Sequence, residues 1–134
     1  MFVIDASVIA NWCLPDESES TGETARRRLT TESAVAPALL WFELRNVLLT
    51  AERRGRLKQS QTISLFKEVG ELPITLDGEP DGVLALTLAR AHRLSLYDAV
   101  YLELAMRRSL PLATLDDALS RAAKAEKVPL IETR

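Results

Sequence analysis

Four carboxylates in this chain stand among apolar residues or at the ends of apolar runs. They are Asp5 after Phe2-Val3-Ile4, Glu43 within Trp41-Phe42-Glu43-Leu44, Asp98 within Leu96-Tyr97-Asp98-Ala99, and Asp116 after Leu112-Ala113-Thr114-Leu115. A carboxylate in such surroundings is costly unless it is hydrogen-bonded, neutralised or balanced by a cation. Taken singly, two of the four, and the Asp117 beside a third, have a structural explanation. Asp5 suits an N-cap, with Ser7 able to do the same from the first turn. Ser95 with Asp98, and Thr114 with Asp117, have the spacing of a capping box. Glu43 is different, because it lies inside a helix with Leu39, Leu40 and Val47 at i−4, i−3 and i+4, and only a narrow polar edge through Asn46 and Thr50 is open to it. Taken together, the four favour a site for a hard divalent cation. Mg²⁺ or Mn²⁺ takes oxygen ligands, and clustered carboxylates cannot all stay ionised without such a charge among them. Ions of this kind activate water and offset phosphodiester charge without histidine or cysteine, which suits a chain holding one of each.

Other chemistries fit less well. His92, in Ala89-Arg90-Ala91-His92-Arg93 near a helix end, suits a surface residue that complements the helix dipole better than a triad base. Cys13, between Trp12 and Leu14, reads as a small core residue, not a nucleophile. Neither of the common glycine-rich phosphate loops is present. Trp12, Trp41, Tyr97 and Tyr101 could stack on bases, but helical core packing is the default for such spacing.

The elements that must position these acids follow from periodicity. Phe2-Val3-Ile4, Ala34-Val35-Ala36, Ile74-Thr75-Leu76, Leu110 to Thr114 and Val128 to Ile131 read as short strands, with the runs before Asp5 and Asp116 suited to buried parallel ones. Helices are predicted over Ala6 to Cys13, stopped by Leu14-Pro15, and from a Ser18 or Ser20 cap to Leu29. Others are predicted over Ala38 to Arg54 with Pro37 in the first turn and Gly55 as the stop, and over Gln59 to Glu71 with an apolar face of Ile63, Phe66, Val69 and Leu72. Three more cover Val83 to Arg93, Ser95 to Arg108 and Ala118 to Lys127. Strands alternating with helices predict a single α/β domain over 1–134, three layers with a central short parallel sheet and helices on both faces. In such sheets the working site lies at the carboxyl ends of the strands, where Asp5 and Asp116 stand.

Composition sets the outer bounds. The chain has 134 residues, 47% hydrophobic and 27% charged, enough for one full core. One cysteine excludes an internal disulfide and, with one histidine, a structural zinc site of those ligands. The amino terminus lacks the basic region of a secretory signal and no apolar run is long enough for a membrane helix, so a cytoplasmic protein with no membrane partner is expected. A net charge of −2 is too mild to announce a nucleic-acid binder by itself. The basic residues are clustered, however, at Arg26 to Arg28 and at Arg53, Arg54, Arg56 and Lys58, where they could steer an RNA backbone toward an acidic pocket or simply be solvated helix faces.

Four stretches carry a resemblance. They are V-I-D-A-S-V-I at 3–9, P-A-L-L-W-F-E-L-R-N-V-L at 37–48, L-S-L-Y-D-A-V-Y-L-E-L-A at 94–105 and L-P-L-A-T-L-D-D-A-L at 110–119. In this order and at these separations the chain resembles the PIN-domain ribonucleases, specifically the VapC toxins of toxin-antitoxin pairs, over essentially its whole length. The resemblance implies a Mg²⁺- or Mn²⁺-dependent endoribonuclease whose acidic pocket is made by Asp5, Glu43, Asp98 and Asp116, with Asp5 and Asp98 as principal ligands. It implies that Ser7 and Thr114 hold the acids or a water, that Asn46 lies near the pocket, and that Asp116 fits the T-x-D pattern better than the adjacent Asp117. It further implies cleavage of structured or single-stranded RNA by a metal-activated water, a homodimer, and a hetero-oligomer with a VapB-type antitoxin. Leu48, Leu49, Leu57 and Ile63 are candidates for the dimer face. The rival expectations are an interaction module of the same fold without catalysis, a Mg²⁺-dependent phosphatase, and a 5′-nuclease-like enzyme. The phosphatase wants a second acid two residues after Asp5, where the chain has Ser7.

Overall fold

The computed structural model describes residues 1–14 and 20–131. The elements run β1 (Phe2–Ile4), α1 (Ala6–Cys13), α2 (Ser20–Arg28), β2 (Ala34–Pro37), α3 (Leu39–Arg53), α4 (Gln59–Gly70), β3 (Ile74–Asp77), α5 (Gly82–His92), α6 (Leu96–Arg108), β4 (Leu112–Ala113) and α7 (Asp117–Ala125). The predicted stop at Pro15 and the Ser18 cap lie outside the described residues.

The strands form one four-stranded sheet in the order β3-β2-β1-β4, with every pairing parallel. Phe2, Val3, Ile4, Ala34, Val35, Ala36, Leu112 and Ala113 are all fully buried, as unbroken apolar strands must be when both faces of a sheet are covered. The path from β1 through β2 to β3 moves one way across the sheet, and the return to β4 passes to the far side of β1. With right-handed crossovers this puts α1 to α4 on one face and α5 and α6 on the other. The packing agrees: α1 meets α2 and α3, α3 meets α4, and α6 meets α5, α7, β1 and β2. The reversal falls between β1 and β4, so the crevice where such sheets carry their sites opens beside Asp5 and Asp116.

Several local expectations are corrected. Pro37 is the last residue of β2, paired with Asp77, and α3 begins at Leu39; a strand end tolerates the missing N–H as well as a first helical turn does. The strand expected over Leu110 to Thr114 shortens to two residues, and Val128 to Ile131 contributes a single bridge, Leu130 to Leu112, in place of a fifth strand. On α4, Ile63 is 59% exposed while Thr62 is the buried residue. Leu48 and Leu57 are interior, packed with Leu14 and Ala51 in a small second cluster, which removes them from any dimer face.

Other side chains lock elements together. Gly22 brings α2 onto α1: a Cβ there would collide with Asn11 Oδ1, and the Trp12 indole donates to Gly22 O at 2.5 Å. Ser109 closes α6 in the left-handed conformation (φ 53°), which glycine would take without strain. Glu103, fully buried on α6, accepts from Arg107 Nε at 2.7 Å and from the Asp81 N–H at 2.8 Å, while Arg107 also reaches Asp77 at 2.6 Å. His92 meets Glu126 at 2.7 Å and ties the end of α5 to the end of α7. None of the described helices is long and apolar enough to cross a membrane.

Candidate active site

Asp5 follows β1 directly and caps α1, as its position suggested. Its Oδ1 accepts from the Ser7 N–H at 3.0 Å, the Val8 N–H at 3.4 Å and the Ser7 hydroxyl at 2.5 Å. Its Oδ2 accepts from the Thr114 hydroxyl, contributed by the segment after β4. Both hydroxyls are themselves acceptors: Ser7 Oγ from the Leu115 N–H and Thr114 Oγ1 from the Asp116 N–H, each at 3.0 Å. The carboxylate is only 6% exposed, and burial pushes its pKa up to about 6 despite these four donors, which act the other way.

The other acids converge on the same end of the sheet from three helices. Asp116 caps α7, accepting from the Leu119 N–H at 2.8 Å. Thr114 is engaged with Asp5, so the expected Thr114/Asp117 capping box is not formed, and Asp117 is exposed in the first turn of α7. Ser95 caps α6 by accepting from the Asp98 N–H at 3.1 Å, but Asp98 makes no return bond, so its carboxylate is not explained as a capping-box partner. Burial raises the Asp98 pKa, and the charge of Asp116 raises it further. Glu43, half-buried on α3, is raised by burial and by the charge of Asp98, against a hydrogen bond from Tyr101 that lowers it. That bond, Tyr101 OH to Glu43 Oε1 at 2.6 Å, joins α6 to α3. Burial, Glu43, Asp5 and Asp98 together push the Tyr101 phenol far above its ordinary range. Three of the acids singled out in the sequence, Asp5, Glu43 and Asp98, thus act together on Tyr101, and the fourth, Asp116, joins them through Asp98.

The donor set is all oxygen, and burial, reinforced by neighbouring carboxylate charge, holds two of its carboxylates above their ordinary range, which is the chemistry of a hard divalent site. As arranged, Asp5 through both oxygens, and Asp116 and Glu43 through one oxygen each, are turned to internal donors, and among the described residues no three His, Cys, Asp or Glu side chains close around one point. Asn46 is exposed on α3, one turn after Glu43. Tyr101 was visible in the sequence only as an aromatic. The signal for it was its place three residues after Asp98, on the same face of α6. The alternatives set aside on sequence grounds remain so: burial, then Glu68, pushes the Cys13 thiol up to about 11, and His92 is engaged by Glu126.

This arrangement, a four-stranded parallel sheet with acids gathered at its carboxyl edge, is that of a known family. The sequence model of the PIN domain matches residues 2–125, and the chain belongs to that family. Within it the chain is similar to VapC ribonucleases. It is 32% identical over 120 residues to ribonuclease VapC3 of Mycobacterium tuberculosis, covering 90% of this chain and 85% of that protein. It is 31% identical over 137 residues to ribonuclease VapC3 of Pyrobaculum aerophilum, covering 98% and 97%. The crystal structure of FitAcB from Neisseria gonorrhoeae shares the fold, with a TM-score of 0.70 at 20% identity over 98% of this chain and 97% of that one.

Proposed function

We propose that this protein is a Mg²⁺- or Mn²⁺-dependent endoribonuclease and the toxin of a toxin-antitoxin pair, acting in the cytoplasm. The observation that carries the reading is the cluster of Asp5, Glu43, Asp98 and Asp116 at the topological switch of a PIN fold whose relatives are named as ribonucleases. These four side chains would hold the cation, which supplies an activated water and charge neutralisation at the scissile phosphate. Ser7 and Thr114 fix Asp5 through both oxygens, Asp116 is held by its cap, and Tyr101 restrains Glu43. No neutral histidine or thiolate is needed. In-line hydrolysis leaves a 3′-hydroxyl and a 5′-phosphate, with the ribose 2′-hydroxyl as a bystander. The same anionic cluster would receive a basic side chain of a VapB-type antitoxin, and the toxin would work as a homodimer.

One observation favours a second reading, an interaction module without catalysis: Asp5 and Asp116 each serve as helix caps, and no ready metal cage is formed among the described residues. A single experiment separates the two. Purified, antitoxin-free protein is incubated with a pool of structured cellular RNAs in Mg²⁺, Mn²⁺ or EDTA, beside Asp5→Asn and Asp98→Asn. Discrete cuts that need the cation and vanish in both variants are expected. A folded protein that neither cuts RNA nor binds Mn²⁺ would leave the module as the better account.

A further inference from the structure

We propose that Tyr101 is a positioning residue of the carboxylate cluster, its buried hydroxyl holding one oxygen of Glu43 so that α6 sets the geometry of Glu43 as well as that of Asp98. The inference rests on the nuclease reading above and names a further residue of the same site. Three observations carry it. The hydroxyl lies 2.6 Å from Glu43 Oε1, bridging residues 58 positions apart. Tyr101 is 2% exposed and belongs to the main core, so it does not touch substrate and acts only through its partner. It stands one turn after Asp98 on the same face of α6, so one helix directs both an acid and the restraint on a second acid brought by α3.

The chemistry explains why such a restraint matters. A glutamate reaches its site through three rotatable bonds and loses the freedom of each when it is ordered around a ligand. A bond from a rigid ring, itself fixed by core packing, orders Glu43 beforehand and leaves Oε2 for the cation. Partners of this kind, one step behind the ligands, typically account for about 10- to 100-fold in metal affinity or activity.

The test uses Tyr101→Phe, which removes the hydroxyl and keeps the ring. Mn²⁺ affinity is measured by calorimetric titration without RNA, kcat and KM are measured on a cleaved RNA, and folding is checked by thermal melting. We expect Mn²⁺ binding weakened about tenfold and kcat lowered with KM little changed. In a Glu43→Gln background, where the carboxylate is already gone, the further effect of Tyr101→Phe should shrink to within about twofold, the behaviour of two residues acting as one unit. Glu43→Asp, which draws the carboxylate out of reach of an intact Tyr101, should weaken Mn²⁺ binding similarly and leaves the core untouched. The proposal is overturned if Tyr101→Phe binds Mn²⁺ and turns over like the parent protein, or if its effect is as large in the Glu43→Gln background. A parent protein that neither binds Mn²⁺ nor cleaves RNA would overturn the nuclease reading and this inference together. An active parent with an unaffected Tyr101→Phe would overturn this inference alone.

Discussion

Asp5 concentrates the conflict between stability and function into one side chain. Four donors favour its charged form, yet burial outweighs them and holds its pKa at about 6, above the ordinary 3.8. The sign of the linkage follows. Between those two values the folded state keeps a proton that the unfolded chain has released, so folded stability falls as pH rises through this window and is lowest above the folded value. A shift of this size corresponds to roughly 3 kcal/mol. Metal-free protein should therefore lose stability in urea between about pH 4 and pH 7, with Asp5→Asn showing a flatter profile over the same range. Excess Mg²⁺ or Mn²⁺ should restore stability mainly at the upper end, where the carboxylate is ionised and able to bind it. A parent profile that runs parallel to that of Asp5→Asn would show that the Asp5 carboxyl titrates alike in the folded and unfolded chains.

Among elements, α6 connects the two halves of the structure. Its first turn carries Asp98, its middle Tyr101 and Glu103, and its last turn Arg107, which with Glu103 fastens the end of β3 and the start of α5. Glu103 is fully buried, so removing Arg107 would leave a carboxylate facing only the Asp81 N–H. Arg107→Leu should cost about 2–3 kcal/mol, less than a wholly buried pair because Arg107 is itself partly exposed; the midpoint of urea unfolding checks this. The element order was legible in the sequence because buried parallel strands are short apolar runs and their helices have caps and breakers, as at Ser95 and Gly55. The four acids were legible because each stands out against apolar neighbours. What the sequence did not show were relations between distant segments. By spacing alone Thr114 reads as a cap, because its tie to Asp5, 109 positions away, has no local signature; the family resemblance is what assigns it to the acids. Pro37 looked like a helix start because strand end and first helical turn tolerate proline equally. Glu103 carries no local sign of its full burial, which arises where the start of α5 meets α6.

At the scale of the molecule, charge is sorted along the strand direction. The acids gather at the carboxyl edge of the sheet, whereas the basic clusters lie toward the other end. Arg28 sits over the ring of Phe2, at the start of β1, and its partner Glu32 also binds the amino terminus at 2.8 Å. Along α3, Glu43 and Arg53 are ten residues apart, about 15 Å of helix. This separation exceeds the roughly 8–10 Å over which exposed charges act at physiological salt. The expectation that these arginines steer RNA into the acidic pocket then applies only to RNA long enough to reach both ends. Charge reversal at Arg53 and Arg54 should leave the cleavage rate of a short oligonucleotide, and its salt dependence, unchanged. For a large structured RNA the same reversal should weaken binding and flatten the slope of log affinity against log salt by about one unit for each phosphate that is no longer neutralised. Equal effects on short and long substrates would show instead that the basic side chains reach the scissile site directly.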